Sequence, residues 1–471
     1  MFGKQTNYTA WLLIAAIAVA LWVPNLFAVG MFIDGIVDAI LAQSLYLNIS
    51  SFWEPKSQAA SWSWGTMPLS IYLLSLFYKF FGDHFWVERL YSFLCALLQL
   101  GLIQQLWKMF FVNEEPIRKL AWLPCLLWLI SPLTSWCYGN NMMENTMTIF
   151  TTCAIIVSLR FVQTQKNILL AAFVMAVFSL LAFITKGPVS LFVFALPFLF
   201  VHTNKNFGWL QAIKFSFLQL ALFALFFLLV FSSSAASTFL HHYLSEQIKP
   251  ALSSSSITNY KSFTILLHLL LATFPFLLLC VLRVLVKPQT RFNQKIHWRF
   301  FLLGLCGSLP IMISNKQHQF YLLPAMVPFV IGFAIYLLPL VAWLNEKTKE
   351  QWQQKIIPFI QYGSIAVILL CMVLCFTNAG KNFRDNDLLN DLHEINKLTN
   401  GEVEINADYS LYENWPVRDY LLRLYRTRIG MPNEKRQVRF YLTLPNQPGE
   451  YLPSNSKKIM AGKTLDLYQI P

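Results

Sequence analysis

Charge is what this sequence has least of. Only 13% of its 471 residues are Asp, Glu, Lys or Arg, against 56% apolar. Water-facing domains carry about 25% charged and roughly 45–50% apolar residues. So little polar surface cannot cover a body in water, which excludes a soluble enzyme, a disordered chain and a nucleic-acid-binding module as the main body. Acidic residues are scarcer than basic ones, 23 against 36, yet the net charge of +13 forms no polyanion patch. Residues 378–471 hold 13 basic and 12 acidic residues, and the other 23 basic and 11 acidic residues are scattered among apolar spans. Basic residues in short loops mark membrane orientation. Cysteine is absent from 378–471, since Cys95, Cys125, Cys137, Cys153, Cys280, Cys306, Cys371 and Cys375 all fall in or beside apolar stretches. That region therefore has no disulfide staple and no metal knuckle. An internal repeat, from which many transporters are built, is also missing.

Long apolar runs are what the chain does have, with 41 Phe and 15 Trp to suit lipid-facing and interfacial positions. A hydrocarbon core about 30 Å thick needs roughly 20 apolar residues per helix. By that measure there are about eleven spans, near 10–31, 86–110, 120–137, 145–162, 168–185, 188–201, 211–232, 263–285, 300–314, 321–343 and 356–377. The first apolar run exceeds a signal-peptide h-region and reads as an uncleaved anchor. With the N-terminus in the cytoplasm, 16 of the 23 basic residues of the membrane part lie inside. Seven lie outside: Lys56, Lys79, Arg89, Lys186, Lys249, Lys261 and Lys316.

The fold expected is an α-helical polytopic membrane protein with a small C-terminal α+β extracytoplasmic domain. Residues 1–377 form the membrane part, with a first outer loop at 32–85, and 378–471 form an accessory domain that folds on its own. Within that domain, helices are expected near 384–398 and 416–426, and strands near 402–406, 438–444 and 463–470. Segment 67–82 is apolar but short, and reads as an interfacial or re-entrant helix. The stretch 34–47 has apolar residues near helical spacing and reads as an amphipathic helix lying in the interface. The Ser-rich loop 233–262 reads as mobile.

Ionisable groups at an apolar boundary are costly and tend to be functional. Here they gather on one side. Asp34 and Asp38 follow the first span, Glu144 opens the fourth, Lys186 closes the fifth, Glu246 lies in the Ser-rich loop, and Lys316 and His318 lie between the ninth and tenth. Together they outline a polar cavity roofed by loops; taken singly, each also reads as a solvated loop charge. No metal-ligand set emerges, because His241 and His242 are adjacent, which is poor geometry for two ligands.

At these residues the chain resembles the GT-C glycosyltransferases, in particular the bacterial group related to protein O-mannosyltransferases and the lipid A aminoarabinose transferase. The resemblance rests on Asp34 after the first span, Trp64-Gly65-Thr66-Met67-Pro68-Leu69, Phe81-Gly82 and Glu88-Arg89-Leu90. It continues through Glu144-Asn145, Thr185-Lys186-Gly187-Pro188, Ser245-Glu246-Gln247 and Lys316-Gln317-His318-Gln319-Phe320-Tyr321-Leu322-Leu323-Pro324, over about residues 8–377. Two departures bear on metal: the aminoarabinose transferases have Glu-Lys-Pro-Pro where this chain has Gly65-Thr66-Met67-Pro68, and a His where it has Gln247. A zinc site therefore does not carry over, and no cofactor is expected.

The resemblance implies a multi-pass enzyme of the bacterial inner membrane. It would move a sugar from a polyprenyl-phosphate donor to a lipid, saccharide or protein acceptor at the outer face, with inversion. In that chemistry an acceptor hydroxyl needs a carboxylate base, and Asp34 is the candidate. The departing lipid phosphate needs cations in a water-poor site. Lys186 and Lys316 are placed for that, with Arg89 as a third. Tyr321 is a donor to phosphate or sugar, Glu144 orients sugar or base, and Asp38, Glu246 and His318 complete the candidate substrate-binding set. The competing reading is a transporter or flippase of lipid-linked sugars, against which the nearly charge-free span interiors count.

Overall fold

The computed structural model describes residues 4–57, 66–252, 263–288, 296–348, 350–431, 438–447, 449 and 451–471. Trp64, Gly65, the serine run 253–256, Lys261, Arg291 and Lys295 lie outside these residues. In chain order the helices are α1 (Lys4–Trp22), α2 (Ile33–Tyr46), α3 (Leu69–Phe81), α4 (Trp86–Phe110), α5 (Glu115–Arg118), α6 (Trp122–Ile130) and α7 (Pro132–Gly139). There follow α8 (Met143–Thr164), α9 (Ile168–Lys186), α10 (Leu196–Leu199), α11 (Trp209–Val230), α12 (Ser234–Tyr243), α13 (Lys249–Leu252) and α14 (Thr264–Val286). The remainder are α15 (His297–Ser308), α16 (Leu323–Lys347), α17 (Glu350–Thr377), α18 (Asn386–Leu398), α19 (Tyr409–Tyr412) and α20 (Trp415–Tyr425).

Helices dominate because a backbone in hydrocarbon must satisfy every N–H and C=O within its own segment. Among the described residues eight segments are long and apolar enough to cross a membrane: α1 with its extension to Asn25, α4, α8, α9, α11, α14, α16 with the turn before it, and most of α17. The three other expected spans are not straight helices. Residues 120–137 break at Pro132, and the two halves diverge by 71°. Proline removes a helix hydrogen bond and pushes the residue before it to extended backbone; Ser131 has φ −69° and ψ 123°, and its hydroxyl donates to the Ala272 carbonyl at 2.9 Å. Segment 188–201 is a 3₁₀ helix at Pro188–Ala195 followed by the four residues of α10. In 300–314, α15 runs into a 3₁₀ turn at Leu309–Ile313. Helix α3, at 13 residues, is about 20 Å long, too short for a core about 30 Å thick.

The chain forms two compact units: Met1–Pro24, Gly65–Ser70 and Ser92–Leu374 in one, and Asn25–Trp64, Ile71–Tyr91 and Cys375–Pro471 in the other. The first holds the apolar bundle. Part of its expected mobile loop is helical, because α12 and α13 flank a π-helical turn at Leu244–Ile248. Ser233 caps α12, its hydroxyl accepting from the Ala236 N–H at 3.3 Å. The serines counted as loop formers thus begin a helix.

The second unit is built on a five-stranded sheet of order β2-β1-β3-β5-β4. The strands are β1 (Glu404–Ala407), β2 (Arg428–Gly430), β3 (Phe440–Thr443), β4 (Lys457–Ala461) and β5 (Asp466–Gln469). β1 runs parallel to β2 and β3, with Ile405 opposite Ile429 and Asn406 opposite Tyr441, while β5 runs antiparallel to β3 and β4. Its core is larger than an independent 378–471 domain would have. Met31, Ile36 and Ile40 pack into the same cluster as Leu392, Ile405, Leu421 and Leu467. Helix α2 exists as expected, but Gly35–Leu45 are all buried, and it packs on α20. It is a core element and not an amphipathic helix lying in the interface.

Candidate functional site

The first unit gathers four of the singled-out residues. Glu144 is the second residue of α8 and Lys186 the last of α9, and antiparallel neighbours bring such ends together. Their Oε1–Nζ distance is 3.1 Å, with Glu144 fully buried. A buried carboxylate needs its partner, since removing either ion leaves the other uncompensated. The Lys186 ammonium also stands 5.6 Å from both the Phe320 and the Tyr321 ring centroids. Aromatic faces attract a cation electrostatically, so the two rings help Glu144 to fix its position.

Beside this pair opens a cavity of about 560 Å³. Its polar lining includes Lys186, Lys316, Tyr321, Tyr243 and Gln247, and the rest is mainly apolar, from Val189, Leu191 and Phe192 to Ile248 and Leu252. Lys316 donates to the Gln247 Oε1 at 3.3 Å. Burial, and then the nearby Lys186 ammonium, hold the Lys316 pKa below the ordinary lysine range. Two cations in one water-poor pocket repel each other, an arrangement that an incoming anion relieves. The segment carrying Lys316 is held by Gln317, which is buried. The Gln317 amide donates to the Met312 and Ser314 carbonyls and accepts from the Ile265 N–H at 3.0 Å.

Tyr243 was not legible as a site residue. Its hydroxyl donates to the Lys186 carbonyl at 3.4 Å, and burial pushes its phenol pKa up, against the pull of Lys186. It fits there because position 187 is glycine. Gly187 has φ +88° and ψ −150°, a region essentially closed to other residues, and a Cβ there would meet the Tyr243 hydroxyl oxygen. Gly187→Ala is therefore expected to cost about 1–3 kcal/mol of backbone strain in addition to the clash, read as a lower Tm in detergent. Adding Tyr243→Phe should recover only part of the loss; full recovery would show that the backbone conformation is not the constraint.

The other candidates divide. His318 stacks on Phe320, centroids 5.0 Å apart, and meets Tyr321 edge-on, so it braces the aromatic pair under Lys186. Glu246 is exposed, 3.4 Å from His242, and is not among the cavity-lining residues. Its neighbour Gln247 takes the inward position. Asp34, Asp38 and Arg89 belong to the second unit. Asp34 lies in the first turn of α2, half-buried, and makes no side-chain hydrogen bond or salt bridge to another described residue. Asp38 is buried one turn on. The Arg89 guanidinium donates to the Gly30 carbonyl, bracing the approach to α2. Among the described residues no three His, Cys, Asp or Glu side chains gather as metal ligands.

Residues 65–234 match the family model described as dolichyl-phosphate-mannose-protein mannosyltransferase. The fold is similar to that of ArnT from Cupriavidus metallidurans bound to undecaprenyl phosphate, at 12% identity and a TM-score of 0.68 over 98% of this chain and 97% of that one. The apo state of the same protein gives 0.69 at 12% identity, over 98% of each chain. The apo oligosaccharyltransferase of Archaeoglobus fulgidus overlaps at 10% identity and 0.46, over 90% of this chain and 64% of that one. No curated protein sequence matches. The resemblance read from the sequence is borne out in the family model matched and in the fold: this is a multi-pass membrane protein whose fold is similar to that of ArnT.

Proposed function

We propose that this protein is a membrane glycosyltransferase of the GT-C type, which transfers a sugar from a polyprenyl-phosphate carrier to an acceptor hydroxyl. The acceptor is an envelope lipid, saccharide or exported protein, and the reaction runs at the outer face of the bacterial inner membrane. The observation that carries the donor class is the cavity's chemistry: two lysines and two tyrosines in a lining that is otherwise mainly aliphatic and aromatic. Such a pocket matches an amphiphile with an anionic head and an isoprenoid tail. The undecaprenyl phosphate bound by the similarly folded ArnT supports the same class. Asp34 serves as general base, its carboxylate taking the acceptor proton. Lys186 and Lys316 take up the negative charge that develops on the departing phosphate. Attack from the face opposite the phosphate inverts the anomeric centre. The excess of basic residues on the assigned inner side supports the orientation.

Undecaprenyl phosphate itself is the probe that tests the donor site. Lys316→Gln should weaken its binding about 10–150-fold, the equivalent of about 1.5–3 kcal/mol for a hydrogen bond to a charged group, with little change in Tm. Lys186→Gln should weaken binding too, and should also lower Tm because it takes the ammonium away from the buried Glu144 carboxylate. Unchanged affinity in the Lys316 variant would remove the phosphate role.

A further inference from the structure

A second, smaller cavity lies at the far end of the first unit's helices. Its volume is about 250 Å³, and its lining includes Asn7 and Trp11 of α1, Lys108 of α4, Glu115 and Arg118 of α5, and Lys119. The end of α8 locates it. The Gln163 side chain donates to the Phe110 carbonyl at 3.3 Å, tying the last turns of α4 and α8 together. Glu144 stands at the other end of α8, about 29 Å away at 1.5 Å per residue. That is the thickness of a hydrocarbon core, so this cavity and the one at Lys186 open at opposite membrane faces.

Three cations meet one carboxylate here. Lys119 is paired with Glu115 at 3.0 Å. Lys108 and Arg118 make no side-chain hydrogen bond or salt bridge to a described residue, and the Asn7 Oδ1 is buried without a donor. Lys108 and Arg118 are exposed at the cavity's rim, where clustered cations attract an anion, and the buried Asn7 acceptor calls for a hydroxyl or amine proton. An indole at the boundary is the usual companion of a lipid interface, and basic pockets between membrane helices bind anionic head groups. We propose that this cavity holds the head group of an anionic glycerophospholipid: the phosphodiester between Lys108 and Arg118, and a glycerol hydroxyl donating to Asn7. The same chemistry describes a free glycerol phosphate, and the lipid source is favoured because the cavity sits at the membrane boundary beside Trp11. This inference does not depend on the sugar-transfer reading.

The test is native mass spectrometry of the full-length protein in detergent. It is titrated with phosphatidylglycerol, with phosphatidylcholine and, separately, with glycerol 3-phosphate. Phosphatidylglycerol should be retained over phosphatidylcholine. Each cation near the surface is worth about fivefold, so Lys108→Gln with Arg118→Gln should weaken phosphatidylglycerol binding about 25-fold. Lys205→Gln should leave it unchanged, because Lys205 is exposed in the loop that Asn204 ties to the same end of α8 but does not line the cavity. The lipid-free Tm of the double variant should stay close to wild type, since both cations are exposed and neither makes a side-chain hydrogen bond or salt bridge to a described residue. Equal retention of the two lipids, or a double variant that binds as wild type does, would overturn the site. Glycerol 3-phosphate binding as tightly as the lipid would overturn the membrane source.

Discussion

Asp34→Asn is expected to leave the protein folded and able to bind undecaprenyl phosphate, while slowing sugar transfer about 10²–10⁴-fold, or about 3–5 kcal/mol in the barrier. The carboxylate is half-buried in the first turn of α2 and is not engaged by another described side chain, so among the described residues no side-chain contact disappears with its charge. Asparagine keeps the shape and loses the proton acceptor. The product to follow is the envelope component whose mass falls by one sugar in a deletion strain; its rate of formation in isolated membranes then compares the variants. A mutant that keeps more than half the wild-type rate would end the assignment of Asp34 as base. Asp38→Asn is the matched control, one turn on in the same helix and buried; a smaller loss of rate is expected there.

The second large effect lies far away in sequence. Arg423→Ala should destabilise the second unit by about 3–5 kcal/mol, because it takes the counter-ion from the buried Glu88 carboxylate, whereas Asp83 keeps Arg426 at 2.9 Å. The Arg423 guanidinium, on α20, is 2.6 Å from Glu88 and 2.9 Å from Asp83. Glu88 also accepts from the Tyr78 hydroxyl at 2.7 Å, and Asp83 from the Gln43 amide at 2.7 Å. Burial works against the Arg423 charge, but Glu88, Tyr78 and Asp83 outweigh it and hold its pKa above the ordinary arginine value. The same helix supplies Tyr420, whose hydroxyl meets both backbone groups of Met31, three residues before Asp34. Loss of Arg423 should therefore lower Tm on the order of 10 °C and expose residues 25–57 to protease. Arg423→Met combined with Glu88→Gln and Asp83→Asn should recover part of the loss, since no bare charge is then left inside. A single variant with an unchanged melting curve and cleavage pattern would show that the cluster is not a structural tie.

Much of this protein was legible in one dimension. Apolar run length is a local property, and hydrocarbon permits few backbone solutions, so the expected spans fall on apolar helical segments with the breaks placed at prolines. β1, β3 and β5 were visible because interior strands carry apolar side chains. β2 and β4 were not, because they are the two edges of the sheet, short or lysine-bearing, as edges that resist further pairing tend to be. The order of Glu144, Lys186 and Lys316 along the spans placed them at one membrane face, which alternating helices dictate. Tertiary structure alone decided the rest. That Glu144 pairs with Lys186, that Gln247 and not Glu246 turns inward, and that Gly187 makes room for Tyr243 depend on side-chain directions that hydropathy does not encode. The tail is not a separate body for the same kind of reason. Its core closes only around Met31, Ile36 and Ile40, and Arg423 finds Glu88 across 335 residues of chain. A buried charge is satisfied by whichever partner the fold delivers, and sequence distance carries no information about that.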